Sequence, residues 1–495
     1  MVFMQRQLWW ASIVVVWVLM ACSPQNVVLP SGEKLLVWSQ GKDSGQLLLV
    51  DGGTVTEVLA LASAKPSVLP CGTAPTSPNG NASAFSVADV NKTTLYLMRG
   101  TDAQLLTLQD NINPMTCVGE NLQYAPDSNR VGYLAWAAPN TADITPSARL
   151  FIHNVGDNNI QANIENVASF DMTQNGADYV TFFANQNNKA VQVGINRWDG
   201  SNSREVTTIY ADDSNTCDYQ SANIRNMSNQ RMAVILAYRC ERGETRTQYQ
   251  LYIVDAESNS STLLSSGVAR GALFAFTRTT TVYPAPNGNA IFATIPDGVK
   301  NDSSKMLNIL TENSAETVLI ERNVVMPQVN QTSPNAVPVV SYDGRWLAVV
   351  ENDGNNNAKL SVFDLDNATF PPIVLTAGSV GDAISSVLFS LDSKKLFYVA
   401  GTDGENNSAF ALDLATGVSN RLIRGKYHSA SAIAPSGAFV ALTDRRSIRD
   451  DQPTYDVIVM LDLATGTQKD VLVGADVTES TVTNVRDLVP IAWRK

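Results

Sequence analysis

The residues able to do chemistry in this 495-residue sequence are few and scattered. Its two histidines, His153 and His428, lie far apart. A three-histidine zinc site is therefore excluded, and a general base would lack an identifiable partner. Asp413 and Asp462 sit in two copies of the string LDLATG. Aspartate there hydrogen-bonds turn amides, while Gly417 and Gly466 supply the positive φ of a hairpin. The oxygen-rich loops at 351–357 and 403–407 lack the spacing of a calcium loop. No GxSxG elbow occurs, and the GKDSG string at 41–45 has no suitable partners for a serine nucleophile. No CxxC pair indicates a zinc knuckle or a thioredoxin-type redox site. We therefore expect no metal, no cofactor and no catalytic set. What remains is binding chemistry. Arg445, Arg446 and Arg449, beside Asp450 and Asp451, form the densest charged stretch and would suit an acidic glycan or protein. Trp198, next to Asp199-Gly200, is the tryptophan expected to be exposed. Trp38, Trp136, Trp346 and Trp493 fall in apolar runs and should pack between sheets.

The elements that must position these residues are short and repetitive. With 44% hydrophobic and 17% charged residues, the chain is neither disordered nor a long coiled coil. Its 47 acidic against 35 basic side chains argue against nucleic acid as a partner. Short β-branched runs alternate with Asn, Asp, Gly, Ser and Pro clusters, which predicts an all-β protein. The runs recur: SYDGRWLAVVEN with AKLSVFDLDNAT at 341–369, FSLDSKKLFYVAGT with SAFALDLATG at 389–417, and APSGAFVALTD with YDVIVMLDLATG at 434–466. Weaker copies carry turns near Ser31-Gly32, Asn91-Lys92, Asp127-Ser128, Asn175-Gly176, Ser228-Asn229 and Asn287-Gly288. Nine turns at a spacing of about 50 residues match four-stranded blade repeats. The C-terminal run at 488–493 reads as a first strand, and the segment at 33–58 as the blade that needs it.

These motifs resemble the TolB-type propeller repeat, a relative of the WD-type repeats. The chain shows no counterpart of the α/β domain that TolB carries, so the resemblance implies the fold and not the activity. A single closed propeller of four-stranded blades is expected over 31–495. We take eight blades, within a range of seven to nine. Tight turns should line one face. Long connectors at 137–148, 241–247, 296–305 and 444–454, with blade links at 71–84 and 212–223, should decorate the other, where a partner would be recognised.

Residues 1–21 hold one charge, Arg6, and an apolar run from Leu8 to Met20, as in a signal peptide. Leu19-Met20-Ala21-Cys22 resembles the lipobox of bacterial lipoproteins. The resemblance implies cleavage before Cys22, acylation of that cysteine, and a tether over 22–30 that fixes the chain to a membrane. Ser23 is not the aspartate that retains such proteins at the inner membrane, so the outer membrane or cell surface is expected. Export would make the four remaining cysteines disulfide partners. Three connectivities exist; the nearest neighbours in sequence are Cys71–Cys117 and Cys217–Cys240. The expected function is a monomeric, non-enzymatic binding or scaffold module for an envelope protein or polysaccharide. The alternatives are a polysaccharide lyase or glycosidase with a site in the propeller funnel, and a structural surface protein.

Overall fold

Alternate residues of the strand Lys34–Gln40 pack into two different cores. Leu35 and Val37 lie with Ala441, Ile458 and Trp493, whereas Leu36 and Trp38 lie with Phe85, Val87 and Met98. A strand buried on both faces belongs to a sheet sandwiched between two others, which is why its sequence is a continuous apolar run. The same arrangement recurs around the molecule. Eight antiparallel sheets stand side by side, seven of four strands and one of seven, with a small extra hairpin at 476–483. In every sheet but the first, the strands follow one another in sequence order. In the first sheet the innermost strand is the C-terminal Asp487–Arg494, paired with Lys34–Gln40 from Lys34–Arg494 to Gln40–Asp487. The termini thus close the ring. The chain is a β-propeller.

This computed structural model describes residues 29–495 except 31, 62–66, 72–74, 90–91, 101, 118, 137–147, 158, 173–177, 185–188, 198–203, 211–216, 229, 240–245, 271–280, 297–303, 322–323, 326–337, 353–357, 368–371, 377–382, 402–406 and 426. Cys22, Trp198, Cys240 and the Asn175-Gly176 turn lie outside them. No helix among the described residues is long and apolar enough to cross a membrane.

The expected eight blades correspond to the eight sheets, and the nine turn units also have a physical basis. The strand Ile160–Met172 pairs through its first half with Ala148–Asn154 and through its second half with Asp178–Ala184. It is the outer strand of one four-stranded unit and the inner strand of the next, so two units merge into the seven-stranded sheet. Asn166, with φ of 61°, marks the bend between the halves.

Tight turns at 77–80, 125–128, 285–288, 341–344, 390–393 and 434–437 share one geometry. The fourth residue donates its N–H to the carbonyl of the first, whose own N–H reaches two residues beyond the turn. The fourth position needs positive φ, met by glycine in four turns and by Ser128 and Ser393 in the others. One sequence expectation is corrected here. The first turn of the second sheet is 77–80; Asn91 lies outside the described residues, and Lys92 falls between the next two strands, Ala82–Ala88 and Thr93–Arg99. The strand Ser67–Pro70 before it is short and resumes only as the single bridge Thr76–Ser83, so its apolar signal is weak. The segment 71–84 therefore contains a first turn and is not a blade link.

Candidate functional site

The inner strands and their tight turns surround a central cavity of about 690 Å³. Seven of the eight sheets contribute to its lining, from Thr76 in the second through Leu388 in the seventh to Ile491 in the first. Pro78, Pro126, Pro286 and Gly344 belong to the turns, so the cavity reaches the tight-turn face. The sequence points to the opposite, long-loop face for recognition. The difference has a simple cause: loop length is visible in a sequence, whereas a concavity made by many inner strands is not.

Three charged groups meet on the cavity wall. Glu120 comes from the 3-10 turn Gly119–Asn121, Asp171 from the end of Ile160–Met172, and Arg225 from the end of Asp218–Asn226. The Arg225 side chain is 11% exposed, and its Nη2 lies 3.8 Å from Glu120 Oε2. Its Nη1 donates to the carbonyls of Phe170 at 3.2 Å and Ile224 at 2.9 Å. Asp171 Oδ2 accepts the Asn226 N–H at 2.6 Å, which ties two neighbouring sheets together. Burial raises the Asp171 carboxyl to about 6, against the opposing pull of Arg225. Gln123 braces the group: its Nε2 donates to the carbonyls of Glu120 and Phe170, and its Oε1 accepts from Met172 N.

Tyr124, Tyr283 and Tyr342 complete the polar part of the lining, all with hydroxyls that burial holds well above the usual phenol range. Tyr124 is fixed by donating to the Pro75 carbonyl at 3.2 Å. At the rim, Asp343 and Asp392 cap their own turns, accepting from Ser341 Oγ and Ser390 Oγ. The sequence does hold a signal for this site. Inner strands are apolar in most copies, as at Val339–Val340 and Val282-Tyr283, but Gln123, Asp171, Arg225 and Asn226 break that pattern.

The residues singled out from sequence fall elsewhere. Arg445 and Arg446 end the strand Phe439–Arg446 rather than lying in a loop. Arg445 Nε pairs with Asp456 at 2.9 Å, and its Nη2 with Asp487 at 3.3 Å. Arg446 pairs with Asp444 and Asp470, each at 2.7 Å. Both charges are engaged within the fold. Arg449 is exposed on the following loop. His153, 2% exposed, meets the Tyr133 hydroxyl at 3.1 Å and stacks on that ring, a core role. The His428 side chain lies outside the described residues. Asp413 and Asp462 accept turn amides, with Gly417 and Gly466 at positive φ, as expected. Trp38 and Trp493 are buried between sheets, and Trp136 and Trp346 pack against such cores. Cys71 and Cys117 form a disulfide in the core between the second and third sheets. Cys217 is disulfide-bonded as well. No group of metal-binding side chains occurs among the described residues.

No protein-family model and no curated protein matches the sequence. Solved structures do. A eukaryotic initiation factor aligns at TM-score 0.50 and 10% identity, over 93% of this chain and 99% of that one. A prolyl endopeptidase aligns at TM-score 0.44 and 13% identity, over 81% of this chain. This chain spans only 55% of that enzyme. TolB from Acinetobacter baumannii aligns at TM-score 0.28 and 13% identity, over 73% of this chain and 82% of that one. At such identities the likeness concerns the propeller fold alone.

Proposed function

We propose that this chain is a lipid-anchored, extracytoplasmic β-propeller that binds a protein or polysaccharide of the cell envelope through its tight-turn face. One observation carries the choice of face: the 690 Å³ cavity, apolar and tyrosine-lined with a few convergent polar groups, reaches that face. Anchoring rests on Cys22 and the segment before it. With residues 1–21 removed, one arginine and no acid are lost, and the net charge moves from −12 to −13. An acidic body is repelled by anionic lipid, so the tether would hold it off the membrane. The test is a crosslinked pulldown from intact envelopes with Cys22 retained and a photoreactive side chain at position 342. A specific protein or glycan should be captured, and Cys22→Ser should release the chain from the membrane fraction. Recovery of no specific partner would sink this reading.

A second reading is favoured by the pairing of Glu120 with Asp171 beside Arg225. One carboxyl raised toward neutrality beside a second is the acid–base signature of glycan-cleaving sites. Turnover of envelope polysaccharides, abolished by Asp171→Asn and by Glu120→Gln, would establish it.

A further inference from the structure

The chemistry of the cavity wall narrows what it can hold. Among the described residues, four carboxylates line it, from Glu120, Asp171, Asp343 and Asp392, against one cation, Arg225. That cation faces inward: its Nη1 serves two backbone carbonyls, and its Nη2, buried without a hydrogen-bond partner, lies 3.8 Å from Glu120 Oε2. Among the described residues, no lysine or histidine lines the cavity. An anionic ligand would therefore meet four carboxylates against one cation already held beside Glu120. A cation would meet carboxylates on an apolar wall that also carries three tyrosine rings, and ring faces attract cations.

Resting on the reading of this cavity as the binding site, we infer that it takes a primary ammonium group carried on an aliphatic chain, such as a lysine side chain of a partner or a free aliphatic diamine. The ammonium would lie against Asp171 and Glu120, and its methylenes would run along the proline- and tyrosine-lined mouth. Binding would then be linked to protons. The groups facing Asp171 are Arg225 and Asn226 from the neighbouring sheet and Glu120 from its own. Only the ionised Asp171 attracts the ligand, and burial holds that carboxyl at about 6. Affinity should rise as pH increases through about 6 and level off above it.

The test titrates the intact chain by calorimetry with cadaverine, with Nα-acetyl-lysine amide, and with glutarate as a dianion of similar length. Both amines should bind at about pH 7.5, about tenfold more weakly at about pH 5, and glutarate should not bind. Asp171→Asn should cost about tenfold and remove the pH dependence. Tyr342→Ala, in the half-buried turn 341–344 at the mouth, should weaken binding, with the far-UV spectrum and cooperative unfolding checked to be native. Binding by the diamine alone would point to a free polyamine, and binding by the lysine amide alone to a partner side chain. Failure of both amines, or equal binding of glutarate, would overturn the inference. Its fate is separable from that of the binding function: capture at position 342 undiminished by excess cadaverine would leave the function standing and remove the ammonium.

Discussion

Asp171 holds a carboxyl whose folded pKa, about 6, exceeds the 3.8 of a free aspartate. Below about pH 4 the group is protonated in both the folded and unfolded chain and contributes nothing. Between about pH 4 and 6 the folded chain keeps a proton that the unfolded chain has lost, so stability falls as pH rises through that window. The loss should approach about 2–3 kcal/mol and stay constant above it. Asp171→Asn should abolish this slope, measured as urea midpoints at about pH 4.5 and 7. A neighbouring case is Asp456, 3% exposed, which accepts from Arg445 and from the Leu488 amide at 3.0 Å. Asp456→Ala would leave Arg445 with Asp487 alone and strand a buried N–H of the closing strand. The expected cost is about 3 kcal/mol by chemical denaturation.

At the scale of the element, the tight turn is the unit that repeats most faithfully, and two copies carry an extra task. Ser128 Oγ accepts the Asn79 amide and Ser393 Oγ the Asp343 amide, each at 3.0 Å from the turn of the preceding unit. Serine there tolerates positive φ in exchange for a bond between sheets. Ser393→Gly removes the strain along with the bond and should be close to neutral. Ser393→Ala keeps the strain, loses the bond, and should cost about 1 kcal/mol in thermal unfolding. These turns were legible in the sequence because their chemistry is local. The cavity was not, because Glu120, Asp171 and Arg225 come from a 3-10 turn and two strands, up to 105 positions apart. Only their polarity in otherwise apolar inner strands hints at a common wall. The ion pairs of Arg445 and Arg446 escaped for the same reason: their partners Asp456, Asp487 and Asp470 are on other strands, invisible to a local reading of charge.

For the whole molecule, the sequence spacing predicted one ring, and that is what forms. The count needed the structure, since only pairing shows that Ile160–Met172 serves two units at once. The disulfide Cys71–Cys117 closes a sequence separation of 46 residues in the core between the second and third sheets. Cys71→Ser should lower stability by about 3–4 kcal/mol in chemical denaturation, and reductant, which also opens the Cys217 bond, should lower it further. Ring closure sets a stricter demand. Removing 487–495 strips the first sheet of its inner strand and uncovers Leu36 and Trp38. That truncation should abolish the single cooperative transition and expose dye-binding apolar surface.

The pairing of Lys34 with Arg494 also fixes an order in time. A ribosome adding about 5–20 residues per second finishes the first sheet's outer strands tens of seconds before their inner partner exists. Throughout that interval Leu36 and Trp38 must wait on an incomplete sheet with a bare edge, the template on which chains aggregate. Residues 487–495 are therefore a timer for the whole fold, and their late arrival, rather than the strength of any contact, should set the yield of native protein when its synthesis is pushed.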